Sequence, residues 1–306
     1  NNDGGDFNTV FGNIAGDDLT SNATANTFFG HNTGHAVSTG DYNVAMGINS
    51  LDASTDAQRV TALGSAAMRA NTTSAAIGAV AVGYASLNAL TSGASNTAVG
   101  NESLYVNTTG QYNTAIGYES LHANVDGDHN TALGYASLYS FEAGSDGQGN
   151  NTAIGSNASF HLDTGQQNTM VGSSAGQSSA GTITYADNTG LGYKALFAIT
   201  TGNNNTVIGS QAGDAMTNNA GNVIVGKSAF SAADAGENYN IVIGGDAGTA
   251  VNNGDADYNV LIGQDAGTGG TGAMASCIAI GGNAMNSTGA NAQTGTIAIG
   301  HNSLTA

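Results

Sequence analysis

The sequence predicts an all-β fold of the parallel β-solenoid type, with about 17 coils of 17 to 21 residues. Three observations predict it: a repeat that covers the whole chain, a β-branched residue at one fixed place in every repeat, and a glycine at another. Repeats of this length are typical of solenoids, in which each coil packs on the next. We therefore expect residues 1–306 to form one repeat array, with no capping repeat visible at either end.

Each repeat is centred on a large apolar residue, here called the anchor, and glycine follows every anchor. The residue two positions before the anchor is always Thr, Val or Ile, which fit the surface of a packed strand. The glycine suits a tight bend directly after that strand. The seventeen anchors are Phe11, Phe29, Met46, Leu63, Val82, Val99, Ile116, Leu133, Ile154, Val171, Leu191, Ile208, Val225, Ile243, Ile262, Ile280 and Ile299.

Side chains of a strand alternate between its two faces, so the β-branched residue and the anchor share one face. We expect this face to fill the interior of the coil, because the anchors are the largest apolar residues of the repeat. The predicted structural core consists of Ile116, Leu133, Ile154, Val171, Ile208, Ile243, Ile280 and Ile299.

The residue between these two positions is Ala in nine repeats and is polar in none. A continuous apolar row in water would be larger than the exposed patches that monomers usually carry. We therefore expect a stripe of alanines to mediate contact between chains, and the alternative is that it packs against another part of its own coil. The stripe comprises Ala98, Ala115, Ala132 and Ala153.

Asparagine stands three positions before the anchor in 13 of the 17 repeats. In a stack of coils, identical amides at one position bond to one another as a ladder. This predicts a structural Asn ladder rather than a ligand site. Its clearest members are Asn96, Asn113, Asn130, Asn151 and Asn168.

Composition excludes several classes of partner. The net charge is −18 with only four Lys and Arg residues, which argues against nucleic acid and anionic membranes. No apolar run approaches the roughly 20 residues that span a bilayer, so we expect no membrane insertion. The single cysteine excludes an internal disulfide framework.

Chemical motifs are scarce. The glycine-rich stretches do not have the spacing of nucleotide-binding loops, and no Ser/His/Asp order typical of hydrolases is present, so the sequence predicts neither an enzyme nor a cofactor. Acidic turns at Asp126, Asp128, Asp255 and Asp257 could bind Ca²⁺, and solvated turns are the alternative. Tyr84, Tyr118, Tyr135 and Tyr193 share one position after the anchor glycine, where they could stack on sugars or pack between coils.

The stretches SNTAVGNESL, NTAIGYESL and NTALGYASL resemble the head repeats of trimeric autotransporter adhesins. Together with their TTG turns, they resemble still more closely the repeat arrays of bacteriophage tail-fibre proteins, although the coils are longer than those of the adhesin heads. The resemblance covers residues 8–304. It implies a left-handed β-roll, a homotrimer of parallel chains, and a place on a virion or a cell surface outside the cell.

These observations predict a structural and adhesive fibre segment that gives rigid reach. Inserts between coils, at residues 140–150 and 177–187, could bind a receptor or a glycan, because insertions in a solenoid gather on one face. An alternative is a self-polymerising extracellular filament whose subunits stack head to tail through uncapped ends. A further alternative is a binder of ice or carbohydrate surfaces that uses a flat row of threonines.

Overall fold

The computed structural model describes residues 7–70, 72–144, 147–178, 182–252, 254–269, 273–289 and 291–305. It is an all-β parallel solenoid in which each repeat forms one coil. The chain divides into two compact units, residues 1–151 and residues 152–306, each of which is a stack of such coils. The single array over 1–306 stays a prediction.

Unit 1 contributes one three-residue strand per coil, centred on the residue before the anchor. A single 3₁₀ turn, Ser74–Ala76, interrupts the pattern of strands and turns. The strands are β1 Thr9–Phe11, β2 Thr27–Phe29, β3 Val44–Met46, β4 Thr61–Leu63, β5 Val80–Val82, β6 Thr97–Val99, β7 Thr114–Ile116 and β8 Thr131–Leu133.

Unit 2 follows the same plan, and two of its coils carry a second, two-residue strand. These extra strands, β16 and β18, pair with each other in parallel. The strands are β9 Thr152–Ile154, β10 Thr169–Val171, β11 Thr189–Leu191, β12 Thr206–Ile208, β13 Val223–Val225, β14 Ile241–Ile243, β15 Val260–Ile262, β16 Met274–Ala275, β17 Ile278–Ile280, β18 Gln293–Thr294 and β19 Ile297–Ile299.

Within each unit, consecutive coils pair their main strands in parallel and in the same register. In unit 1, Ala115 lies beside Ala132 and Ile116 beside Leu133. In unit 2, Ile243 lies beside Ile262. Every position of the repeat therefore forms a row of equivalent side chains along the unit, at the spacing of about 4.8 Å between neighbouring strands.

The prediction that the anchors fill the interior of the coil is wrong: the interior lies on the opposite face of the strand. Ala98, Ala115, Ala132 and Ala153 are fully buried inside the coil, so they do not form a surface between chains. The anchors point outward: of the predicted core, Ile116, Leu133, Ile208, Ile243 and Ile299 are exposed, and Ile154, Val171 and Ile280 are half-buried. The alternative, that the alanine row packs against its own coil, is the arrangement found.

The reason is the shape of the coil interior. The residue between the β-branched position and the anchor, here called the inner residue, faces the residue five positions after the anchor, here called the corner residue. At Gly190, an inner position, an added Cβ would lie 3.4 Å from the side chain of Leu196, the corner residue of that coil. Two large residues rarely fit across this space, so small inner residues accompany large corner residues.

In 15 of the 17 coils, a small residue at one of these two positions accompanies a larger residue at the other, an arrangement here called the exchange of size. Eight combine an inner Ala with a corner Leu or Met, as in Ala115 with Leu121, and six combine a larger inner residue with a corner Gly, as in Phe28 with Gly34. An added Cβ at Gly34 would lie within 2.7 Å of three carbons of the Phe28 ring. In these fifteen coils, the space between the inner and corner positions is thus filled by one large residue, which comes from either position.

The Asn ladder lies in the interior beside this core. The Oδ1 of Asn113 accepts hydrogen bonds from the backbone N–H of Asn130 at 2.9 Å and from its Nδ2 at 3.1 Å. The Nδ2 of Asn113 donates to the carbonyl of Gly127, at the far turn of the next coil, at 2.7 Å. Asn96 and Asn151 bond in the same way to their neighbours in unit 1, and Asn168 begins a similar series in unit 2.

Each coil turns through four positions with positive φ. The glycine after the anchor has φ between 124° and 146°, and at most of these glycines an added Cβ would meet the carbonyl of the corresponding glycine in the next coil. The other three positions lie in the left-handed region, and many of them carry ordinary side chains, for example Tyr112 at 57°, Glu119 at 50° and Leu121 at 52°. Such conformations cost about 1–2 kcal/mol per residue and must be held by the stack.

The two inserts are not simply surface loops. Phe141, from the first insert, and Ile183 and Tyr185, from the second, are fully buried in the core. The Tyr185 hydroxyl donates to the carbonyl of Gly176 at 2.9 Å, and burial raises the pKa of this phenol. Insert residues 145–146 and 179–181 lie outside the described residues.

Candidate interaction surface

In each unit, the outward side of the main strands forms a continuous surface, here called the outer sheet face. It contains four residues per coil: the anchor and the residues four before, two before and two after it. In the coil of β7 these are Tyr112, Thr114, Ile116 and Tyr118, and the residues between them point inward. Alternation along an extended segment explains why they share this face.

The centre of the outer sheet face is apolar and exposed. In unit 1, Phe11 and Phe29 stack with ring centroids 4.9 Å apart, and Met46 and Leu133 are about half exposed. In unit 2, Val223, Ile241 and Ile243 are exposed. Exposed apolar rows of this extent are typical of surfaces that bind another molecule.

Aromatic columns flank this apolar centre. On one side Tyr112 stacks on His129 with ring centroids 4.9 Å apart, and on the other Tyr118 stacks on Tyr135 at 5.4 Å. In unit 2, Tyr239 stacks on Tyr258 at 5.3 Å. Exposed tyrosines beside an apolar centre are typical of protein interfaces.

Acidic residues avoid the outer sheet face. Its four positions account for 68 of the 306 residues, yet only one of the 22 Asp and Glu residues, Asp187, occupies any of them. The charge of −18 is therefore carried almost entirely by the other sides of the coils. Depletion of charge is a feature of interface centres.

The four tyrosines that were predicted as sugar-stacking residues are all exposed. Tyr118 and Tyr135 stack on each other, so each covers one face of the other's ring. Tyr193 lies beside Lys194, whose Nζ is 5.5 Å from the ring centroid. Tyr84 has Ser65 and Asn101 in the coils on either side of it. Sugar binding at these residues stays a prediction.

The acidic turns that were predicted as calcium candidates act as hydrogen-bond acceptors between coils. One carboxylate oxygen of Asp128 accepts from the backbone N–H of Gln111 at 2.6 Å, and Asp257 accepts from Asn238 at 2.6 Å. Asp126 is half-buried and Asp255 is exposed. Within the described residues, no group of three or more His, Cys, Asp or Glu side chains is arranged to hold a metal ion.

The remaining features also belong to the fold. Cys277 is buried at a ladder position, where its N–H donates to the Oδ1 of Asn259 at 2.9 Å. In the part of the chain that the structure describes, no helix has the length and apolar character needed to cross a membrane.

Comparisons with known proteins give no family assignment. None of the protein-family models matches this chain. A search of curated proteins also found no significant match.

Proposed function

We propose that this chain is a structural fibre segment whose copies associate side by side through the outer sheet face. The observation that carries the proposal is the contrast between an exposed apolar surface and the almost complete exclusion of acidic residues from it. This surface takes over the role that the sequence analysis gave to the alanine stripe. The resemblance to tail fibres and adhesin heads supports a homotrimer outside the cell, on a virion or a cell surface.

The size of the outer sheet face fits an interface. Eight strands at about 4.8 Å make the face of unit 1 about 34 Å long, and six residue steps of about 3.3 Å make it about 20 Å wide. The resulting area of about 700 Å² approaches the roughly 800 Å² per partner of a stable protein complex. Covering this face removes apolar side chains from water, which drives association at about 25 cal/mol per Å² before the cost of association is subtracted.

Sedimentation equilibrium tests the proposal. We expect the wild-type chain to have three times the 30.1 kDa mass of one chain. Ile116→Glu places a charge at the centre of the outer sheet face and should give a single-chain mass with an unchanged circular dichroism spectrum. Thr109→Glu, at an exposed turn of the same unit, is the matched control and should leave the assembly intact. A wild-type chain that stays single at micromolar concentration contradicts the proposal.

Adhesion through the inserts is a separate proposal, because the described insert residues contribute to the core. A glycan array probed with the labelled chain tests it. Binding that survives replacement of residues 142–148 by a short Gly-Ser linker would rule out the first insert as the binding element.

The outward threonines favour a second candidate function. Thr97, Thr114 and Thr131 form a regular outward row in unit 1, as a binder of ice or crystalline carbohydrate would require. The same face also carries large anchors, which favours a protein partner. Thermal hysteresis of the wild-type chain tests this candidate. Activity at a dilution where the chain is a single copy favours a surface binder, and its absence there leaves the protein partner as the favoured occupant.

A further inference from the structure

Two pairs of exposed tyrosines are held face to face on neighbouring coils. Tyr118 and Tyr135 have ring centroids 5.4 Å apart and ring planes within 6° of parallel. Tyr239 and Tyr258 have centroids 5.3 Å apart and planes within 8°. Among the aromatic contacts of the described residues, these two join one phenol to another.

The backbone fixes each pair in register. Tyr118 and Tyr135 both follow an anchor glycine, and the strands before them, β7 and β8, pair residue for residue. Tyr239 and Tyr258 both have a left-handed backbone, with φ of 56° and 60°, and the Tyr258 N–H donates to the carbonyl of Asn238 at 3.1 Å. The two rings of each pair are therefore held side by side and nearly parallel by the backbone of adjacent coils. Groups held in this way react with a high effective concentration.

The surroundings also provide for loss of the phenol proton. The carboxylate of the neighbouring Glu119 interacts with the Tyr118 hydroxyl and raises the pKa of Tyr118. When a phenol is oxidised by one electron its proton becomes strongly acidic, and a nearby carboxylate can accept it. In the single chain all four tyrosines are exposed by 45% or more, so an oxidant can reach them wherever the outer sheet face is uncovered.

We propose that Tyr118 with Tyr135, and Tyr239 with Tyr258, are sites of oxidative coupling that yields a dityrosine bridge between adjacent coils. Each phenol loses one electron and one proton, and the two radicals form a carbon–carbon bond between their ortho carbons. The two ortho hydrogens then leave as protons while the phenol groups are restored. The oxidant is hydrogen peroxide acting through a haem peroxidase, and each bridge reduces one peroxide to two molecules of water.

Tyr84 and Tyr193 provide an internal comparison. They occupy the same position of the repeat as Tyr118, but the equivalent residues in the adjacent coils are Ser65 and Asn101 for Tyr84, and Ser173 and Ser210 for Tyr193. Both are as exposed as the paired tyrosines. Exposure alone would make all of them reactive, whereas pairing restricts coupling within a chain to the stacked pairs.

The experiment treats the full chain at low micromolar concentration with horseradish peroxidase and hydrogen peroxide. We expect dityrosine fluorescence, and peptide mapping by mass spectrometry should place the bridges at 118–135 and 239–258 within one chain. The double variant Tyr118→Phe/Tyr239→Phe should lose at least four fifths of this fluorescence, and Tyr84→Phe/Tyr193→Phe should keep it. Bridges that map mainly to other tyrosines, or equal losses in the two double variants, would overturn the proposal.

Unfolding gives a second readout. In concentrated guanidinium chloride the stacked pairs separate, so the same treatment should lose the preference for the two predicted bridges. If the same two bridges form equally well in the unfolded chain, the fold does not direct the coupling and the proposal fails. Both rings of each pair belong to one chain but lie on the outer sheet face, so the treatment is repeated on the Ile116→Glu variant, in which that face stays uncovered. We expect the same two bridges there, and their absence from this variant overturns the proposal whatever the oligomeric state of the wild-type chain.

Discussion

Moving the large residue of one coil from the inner to the corner position should leave the free energy of unfolding nearly unchanged, although each of the two substitutions alone should lower it. The test pair is Phe28 and Gly34, and the next coil, with Ala45 and Leu51, already shows the exchanged arrangement. Leu51 has φ of 53° and Gly34 has φ of 57°, so the backbone at Gly34 already has the conformation that a leucine adopts there.

The magnitudes follow from the packing. Phe28 is 1% exposed, so Phe28→Ala should cost about 3–5 kcal/mol through the cavity that it leaves. Gly34→Leu alone drives a side chain into the Phe28 ring, whose carbons lie 2.6–2.7 Å from the new Cβ, and should cost about 1–3 kcal/mol or more. The double variant conserves the volume of the core and should lie within about 1.5 kcal/mol of the wild type. The two single costs add to about 4–8 kcal/mol, so the coupling energy between the two sites is then at least about 2.5 kcal/mol.

Guanidinium denaturation followed by far-ultraviolet circular dichroism gives the four free energies of unfolding that the cycle requires. Hydrogen exchange of the β2 and β3 amides shows whether the effect stays local. The reciprocal cycle, Ala45→Phe with Leu51→Gly, is the matched control and should show a coupling of the same sign. Additive free energies in both cycles would refute the exchange of size as the rule that fills this core.

Three further predictions concern single positions. Gly244→Ala should destabilise unit 2 by about 2–5 kcal/mol, because the new Cβ would lie 2.2 Å from a carbonyl oxygen of the next coil. The control Gly245→Ala places its methyl group in open space and should cost less than about 0.5 kcal/mol. The denaturation midpoints of the two variants check this difference. Cys277→Asn should stabilise unit 2 by about 1 kcal/mol, because an amide at this ladder position can donate to the Gln293 carbonyl, which now lies 3.3 Å from the Cys277 sulfur. An unchanged or lower denaturation midpoint would contradict the idea that an amide at residue 277 continues the Asn ladder. Burial raises the pKa of Asp214 above its ordinary value of 3.8, so the folded state binds this proton more tightly and loses stability as pH rises from about 4. Asp214→Asn should therefore stabilise the chain at pH 7 and not at pH 3. Equal gains in the free energy of unfolding at both pH values would show that burial of the charge is not the cause.

The repeat was sufficient to predict the solenoid, because one physical reason explains why each recurring position always carries the same kind of residue. The β-branched Thr114, two positions before Ile116, favours a strand, and Gly117 allows a backbone that no other residue adopts as easily. Asn113 and its equivalents lie at one position in most repeats, and only stacking explains why an amide is needed there. These features depend on local sequence, so they can be recognised without a structure.

The orientation of the strand was not predicted because both of its faces are apolar. Size favoured Ile116 as the buried side, but the side that is buried depends on what lies across the coil, where Leu121 fills the space beside Ala115. The sequence does contain the decisive signal, which is the exchange of size between inner and corner residues. The left-handed backbone at Tyr112, Glu119 and Leu121 could not be anticipated, since these residue types do not favour it and only the stacked coils hold it.

The exchange of size between inner and corner residues also constrains how such arrays can lengthen and shorten in evolution. Repeats are gained and lost by recombination between similar stretches of one gene, and a crossover point inside a coil joins the strand of one repeat to the turn of another. A crossover between Phe28 and Gly34, matched to the next repeat, would create a coil with either Phe and Leu or Ala and Gly at the inner and corner positions. The first coil would have an overpacked core, and the second would contain a cavity. Crossovers that fall between a corner residue and the next strand carry the matched pair as one piece. Natural variants of this array that differ in coil number should therefore have their junctions in the turn segment that precedes the asparagine.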